Sequence, residues 1–113
     1  MMDSKDAINA FSALAQDTRL QVFQTLVKEG QDGLPAGEIA DRVGVAPSTL
    51  SFHLGQLERA GLLRSWRDQR RIFYAPNVEG IKGLLLFMTE DCCQGNPDIC
   101  GLNGDNISLE KAC

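Results

Sequence analysis

All four cysteines of this 113-residue chain lie at or beyond residue 92. Three of them, Cys92, Cys93 and Cys100, are close together in Glu90-Asp91-Cys92-Cys93-Gln94-Gly95-Asn96-Pro97-Asp98-Ile99-Cys100-Gly101. In a reducing cytosol, clustered thiols serve as metal ligands or redox sensors more readily than as structural disulfides. Cys113, in a terminal stretch rich in Asn, Gly and Asp, reads as incidental. A thiol enzyme needs a base beside its nucleophile. The single histidine, His53, is remote in sequence from the cysteines and no oxyanion-binding loop is recognisable, so the pattern argues against catalysis.

A second group of side chains has a different chemistry. Ser48, Thr49, Ser51, His53 and Gln56 lie off the apolar stripe formed by Leu50, Leu54 and Leu57, and each can hydrogen-bond to a base edge or a phosphate. A histidine beside an apolar stripe is also often a satisfied structural residue. Shortly afterwards Arg64, Arg67, Arg70 and Arg71, with Gln69 between them, place guanidinium groups on one short ribbon suited to phosphates or a minor groove. These two groups together predict double-stranded operator DNA as a partner.

Helices and a hairpin must present these residues. Asp3 or Ser4 can cap a first helix carrying Ala7, Ile8, Phe11 and Leu14; Asp17 can cap a second with Leu20, Phe23, Leu26 and Val27 as its stripe, ended by Gly30. Pro35 opens a short helix with Ile39, Ala40 and Val43 that stops at Gly44, and Pro47 opens another that stops at Gly61. Helix, tight glycine turn, helix is the arrangement in which a second helix enters the major groove. Leu62–Arg67 and Arg70–Ala75 read as two strands joined around Asp68-Gln69. A last helix from Pro76-Asn77 to about Glu90 carries Val78, Ile81, Leu84, Leu85 and Met88. The expected fold is mainly α with a β-hairpin wing, in the order four helices, two strands, one helix. Residues 1–91 form the winged helix-turn-helix and dimerisation domain, and 92–113 a cysteine-containing tail.

Composition is consistent with this reading. The chain is 43% apolar and 23% charged, ordinary for one globular domain. Its N-terminus lacks a basic region followed by an apolar run, and no stretch is long and apolar enough for a membrane span, so a cytoplasmic protein is expected. The net charge of -4 is unevenly spread: residues 34–76 hold six Arg against four acids, whereas residues 77–113 hold two Lys against six acids. The region that carries the reading helix and the ribbon is locally basic.

Leu14-Ala15-Gln16-Asp17-Thr18-Arg19-Leu20, Gly37-Glu38-Ile39-Ala40, Pro47-Ser48-Thr49-Leu50-Ser51-Phe52-His53-Leu54, Leu57 and Ala60-Gly61-Leu62-Leu63 resemble the ArsR/SmtB family of bacterial repressors over residues 5–90. That resemblance implies a winged-helix homodimer, joined through its first and last helices, that represses when ligand-free and leaves its operator when ligand binds. Ile8, Phe11, Leu84, Leu85 and Met88 supply more apolar surface than a lone domain needs and are the expected interface; two-fold symmetry would set two recognition helices about 34 Å apart. The short third helix lacks the cysteines many relatives carry there, and the last helix lacks the Asp and His pairs of zinc-responsive members.

The Cys92-Cys93…Cys100 tail resembles that of an arsenic-responsive subgroup. Trivalent arsenic and antimony(III) favour three sulfurs in a pyramid, and arsenite, a methylated arsenite or antimonite is the expected inducer. Gly95 and Pro97 make the returning turn such a site needs. Glu90, Asp91 and Asp98 oppose thiolate formation and suit a divalent cation, so cadmium, lead or zinc is an alternative inducer. Thiol-redox sensing through a disulfide from Cys100 to Cys92 or Cys93 is another. No organic cofactor is expected.

Overall fold

The computed structural model describes residues 3–92. Helix α1 (Ser4–Leu14) begins at Asp3, whose carboxylate accepts the Asp6 N–H at 2.9 Å. Its inward face is Ala7, Ala10 and Ala13, small residues that let it lie close against α2 (Asp17–Glu29) and the helix over Pro47–Arg59. Ile8 and Phe11 face outward. The second helix is capped one residue earlier than expected: the Gln16 side chain accepts the Arg19 N–H at 2.8 Å, and Asp17 is already in the first turn. Its buried seam is Val22 and Leu26 with Phe23 beside it; Leu20 and Val27, expected in the stripe, are exposed.

Leu34–Pro35 forms a two-residue strand, β1, where the sequence predicts a helix start at Pro35. Pro35 therefore precedes α3 (Ala36–Val43) as its cap. At the end of α3, Gly44 adopts φ 81°, and the N–H groups of Gly44 and Val45 both donate to the Ala40 carbonyl, at 2.8 and 3.2 Å. That turn swings the chain into α4 (Pro47–Arg59), whose first residue is a proline that needs no partner for its absent N–H.

Strands β2 (Leu63–Asp68) and β3 (Arg71–Pro76) pair antiparallel from Leu63↔Pro76 to Asp68↔Arg71, and β1 adds to the other edge of β3 through Leu34↔Tyr74 and Pro35↔Phe73. The sheet order is β1-β3-β2. The hairpin loop is Gln69-Arg70, one residue later than expected, with Gln69 at φ 59° in place of the usual glycine. The core gathers Val22, Leu26, Leu34, Ile39, Leu50, Leu54, Leu57, Leu62 and Leu63.

Helix α5 (Val78–Leu86) hangs from this body by its first turn. The Asn77 N–H donates to Leu62 O at 2.9 Å, and its side-chain amide donates to Gly61 O at 3.0 Å. Gly80 sits so close that a Cβ there would run into the Gly61 carbonyl. Leu84 closes onto the core, and a π-helical segment, Phe87–Cys92, continues the helix. Because a backbone carbonyl cannot swing aside as a side chain would, Gly80→Ala should push α5 off its seat and cost about 1–3 kcal/mol of stability, measured by urea denaturation.

Candidate nucleic-acid interface

Leu50, His53, Leu54 and Leu57 define the buried side of α4. Ser48, Thr49 and Ser51 are exposed in its N-terminal half. His53 is not with them. It is 8% exposed, and its Nδ1 lies 3.3 Å from a guanidinium nitrogen of Arg19, whose Nε donates to Ala13 O at 2.7 Å. Arginine only donates, so Nδ1 is the acceptor and the ring proton sits on Nε2. This corrects the expected DNA role of His53: the imidazole is a strut between α4 and the α1–α2 junction. Gln56 is half-buried, lining a recess of about 260 Å³ with Asn9, Ser12, Arg19 and Arg59, on the α1 side of the helix.

One residue on the outward side was not anticipated. Phe52 is exposed, its ring edge-on to His53 at 5.5 Å. The signal available in the sequence was its place between Ser51 and His53, off the leucine stripe.

On the wing, Arg67, Gln69, Arg70 and Arg71 are all exposed. Arg67 Nε donates to Gln69 O at 3.2 Å, bracing the loop. One face of the ribbon carries a ladder of cations and rings: Arg64 over Trp66 at 4.5 Å, Trp66 stacked on its cross-strand partner Phe73 at 5.7 Å, and Arg71 over Phe73 at 5.0 Å. Arg64 also donates to Gln31 O at 2.9 Å, which ties it to the loop before β1. Glu38 and Asp41 line the recess between α3 and Arg70 and Arg71, but Glu38 accepts from Arg42 at 2.6 Å, which satisfies much of its charge.

The residues expected at a dimer interface divide. Ile8, Phe11 and Met88 are exposed and Leu85 is half-buried, whereas Leu84 is 8% exposed and belongs to the protomer's own core. Leu86, not anticipated, is exposed. Both faces of this stretch are apolar, so α-helical spacing alone could not say which leucine points inward. Cys92 ends the π-helical segment; Cys93 and Cys100 lie outside the described residues. Among the described residues no three His, Cys, Asp or Glu side chains gather as metal ligands, and no helix is long and apolar enough to cross a membrane.

A tri-helical core, a glycine turn into an outward-facing polar helix and an arginine-bearing hairpin define a winged helix-turn-helix DNA-binding module. Comparison with known proteins agrees and narrows this. A family profile described as a helix-turn-helix domain matches residues 14–65. The HTH-type transcriptional regulator KmtR of Mycobacterium tuberculosis is 33% identical over 108 residues, spanning 93% of this chain and 81% of that protein. The transcriptional activator HlyU of Vibrio cholerae is 29% identical over 94 residues, covering 83% and 84%. The structure of reduced Vibrio cholerae HlyU superposes with a TM-score of 0.61 over 75% of this chain and 87% of that one, at 29% identity. An ArsR-like regulator from Rhodococcus sp. RHA1 shares the fold at 19% identity, with a TM-score of 0.70 over 91% and 96%. The chain belongs to the ArsR family of winged-helix transcriptional regulators, and its relatives are regulators rather than enzymes.

Two measurements test this geometry. Burial, and then the Arg19 charge, push the His53 imidazole below its ordinary pKa of 6.5, so the folded state binds fewer protons than the unfolded one. His53 therefore costs no stability above pH 6.5, and stability falls as pH drops below it; urea midpoints from pH 7.5 to 5.5 should decline, with His53→Gln showing a flatter profile. On the wing, Arg70→Ala should weaken DNA binding across sequences and reduce the slope of log affinity against log salt by about 1, read by fluorescence anisotropy.

Proposed function

We propose that the protein is a homodimeric, metalloid-responsive repressor that holds operator DNA with Ser48, Thr49, Ser51 and the wing arginines of each protomer and releases it when As(III) or Sb(III) binds Cys92, Cys93 and Cys100. The observation that carries this reading is the sequence that directly follows α5, with three thiols between residues 92 and 100 and no cysteine elsewhere in the folded body. Three thiols are the donor set a pyramidal trivalent metalloid takes. Arsenous acid condenses with them to a neutral trithiolate and three waters, so Glu90, Asp91 and Asp98 do not repel the product.

Dimerisation is supported by Ile8 and Phe11 on α1, Leu86 at the end of α5 and Met88 in the π-helical segment, all exposed apolar side chains. Beyond its first turn, α5 packs on its own protomer through Leu84, with Phe87 just after it, and leaves Leu86 exposed. Joined two-fold through these helices, the recognition helices would enter successive major grooves. Ligation favours release only if the ligated tail fits the DNA-incompetent dimer better than the competent one. Tying Cys92 and Cys93 to Cys100 acts where the π-helical segment ends, on the stretch that carries Leu86 and Met88.

Two alternatives have specific support. The acids Glu90, Asp91 and Asp98 suit a divalent cation such as cadmium, lead or zinc. The similar HlyU was solved in a form named as reduced, which favours a thiol-redox switch as a second reading. Fluorescence anisotropy on the duplex upstream of the protein's own gene separates them, with arsenite and cadmium titrated under reducing conditions and peroxide after the reductant is removed. Release by arsenite but not cadmium, abolished by Cys100→Ser, is the expected outcome; release by cadmium alone, or only by peroxide, overturns the metalloid reading.

A further inference from the structure

We infer that Phe52 is a base-reading side chain that recognises the 5-methyl group of a thymine in the major groove, positioned there by His53. The inference rests on the DNA-binding reading above and names what this part of the helix reads.

Phe52 is 56% exposed in the middle of the recognition helix, on the side away from Leu50, Leu54 and Leu57. Ser48 lies one turn before it and Ser51 beside it, both exposed, so the ring is an apolar point on a hydroxyl-bearing surface. Among the described residues the other exposed large apolar side chains belong elsewhere: Ile8 and Phe11 to α1, Leu20 and Val27 to α2, Ile72 to the wing, Leu86 and Met88 to the last helical stretch. Phe52 is the exposed aromatic of α4.

Its ring is also held in place. The His53 imidazole meets it edge-on at 5.5 Å and 65°, and that imidazole is fixed in turn by Arg19 and the Ala13 carbonyl. A braced ring spends little conformational freedom on binding. One turn on, at Gly55, an added Cβ would approach only the guanidinium of Arg59. The guanidinium of Arg59 thus lies over the helix surface beside Phe52, and no side chain rises from Gly55 between them. No free carboxylate competes: Glu58, farther along the helix, accepts from the Ser65 hydroxyl at 2.6 Å.

Base edges in the major groove offer donors, acceptors and one apolar group, the thymine methyl, and phenylalanine is among the side chains that contact it. A serine-flanked ring therefore fits a thymine set among hydrogen-bonding edges, so that Ser48 and Ser51 have partners while the methyl covers the ring.

The test uses the full-length protein under reducing conditions. Duplexes with a randomised 30-base-pair core are selected for binding, and each thymine of the selected site is replaced singly by deoxyuridine, which removes only the methyl. Wild type should lose about 4-fold in affinity at one thymine per half-site, the value of one buried methyl. Phe52→Ala should bind more weakly and be indifferent to that replacement, whereas Ser48→Ala should remain sensitive to it. Wild-type indifference to every deoxyuridine, with sequence selection intact, overturns the inference and leaves the DNA-binding reading standing. Failure to select any sequence overturns both. Should Phe52→Ala fail to fold, by circular dichroism, Phe52→Gln takes its place in the same series, with the same expected indifference to deoxyuridine.

Discussion

One guanidinium organises the DNA-binding half of this protein. Arg19 reaches from the first turn of α2 to the carbonyl of Ala13 at the end of α1 and to His53 in the middle of α4. Three helices thus meet at a single planar side chain, whose rigid fork can hold two acceptors at a fixed angle. The leucines of α4 supply the larger part of the burial free energy, but apolar contacts are non-directional and would tolerate a small roll of the helix. Hydrogen bonds to a half-buried arginine would not. The leucines decide which side of α4 faces inward, and this bridge fixes its roll about that direction, on which the aim of Ser48, Thr49 and Ser51 depends.

The wing is organised on a different principle. A two-residue hairpin loop with Gln69 in the left-handed region is an uneasy turn, since a side chain there costs roughly 1–2 kcal/mol relative to glycine. The Arg64, Trp66, Phe73 and Arg71 ladder offsets this by stacking along one face of the ribbon, and the Arg67 bond to the loop carbonyl adds to it. The consequence is a basic ribbon whose arginines are partly pre-arranged. In a chain of net charge -4, such concentration of positive charge on one short hairpin lets an acidic protein meet a polyanion.

Most of the architecture could be read from the sequence because its punctuation is strong. Gly30, Gly44 and Gly61 end the helices where expected, Pro47 begins one, and the Leu50, Leu54, Leu57 spacing assigns the inner face of α4. The details that escaped share a physical reason. Strand β1 has two residues, too few to show an alternation. In α1 the inner face is made of alanines, so the larger Ile8 and Phe11, which draw the eye in a hydrophobic pattern, point the other way. Around Leu84-Leu85-Leu86 every position is apolar and the period carries no information about direction. His53 lies at the border of the buried arc, where only the partner, Arg19, settles whether a polar ring turns in or out. That partner is 34 residues away in sequence.

Helix α5 is fastened through its backbone at its root, by Asn77 and Gly80, and beyond that by the side-chain packing of Ile81, Leu84 and, just past its end, Phe87. Nine residues of helix span roughly 13 Å, so a tilt of about 10° at the root carries the tip through roughly 2 Å. Small errors of seating at Gly61 and Gly80 are thereby magnified at Leu86 and Met88. The two glycines act as a hinge bearing with almost no clearance, and the accuracy with which the far end can meet anything is set there, at the opposite end from the contact itself.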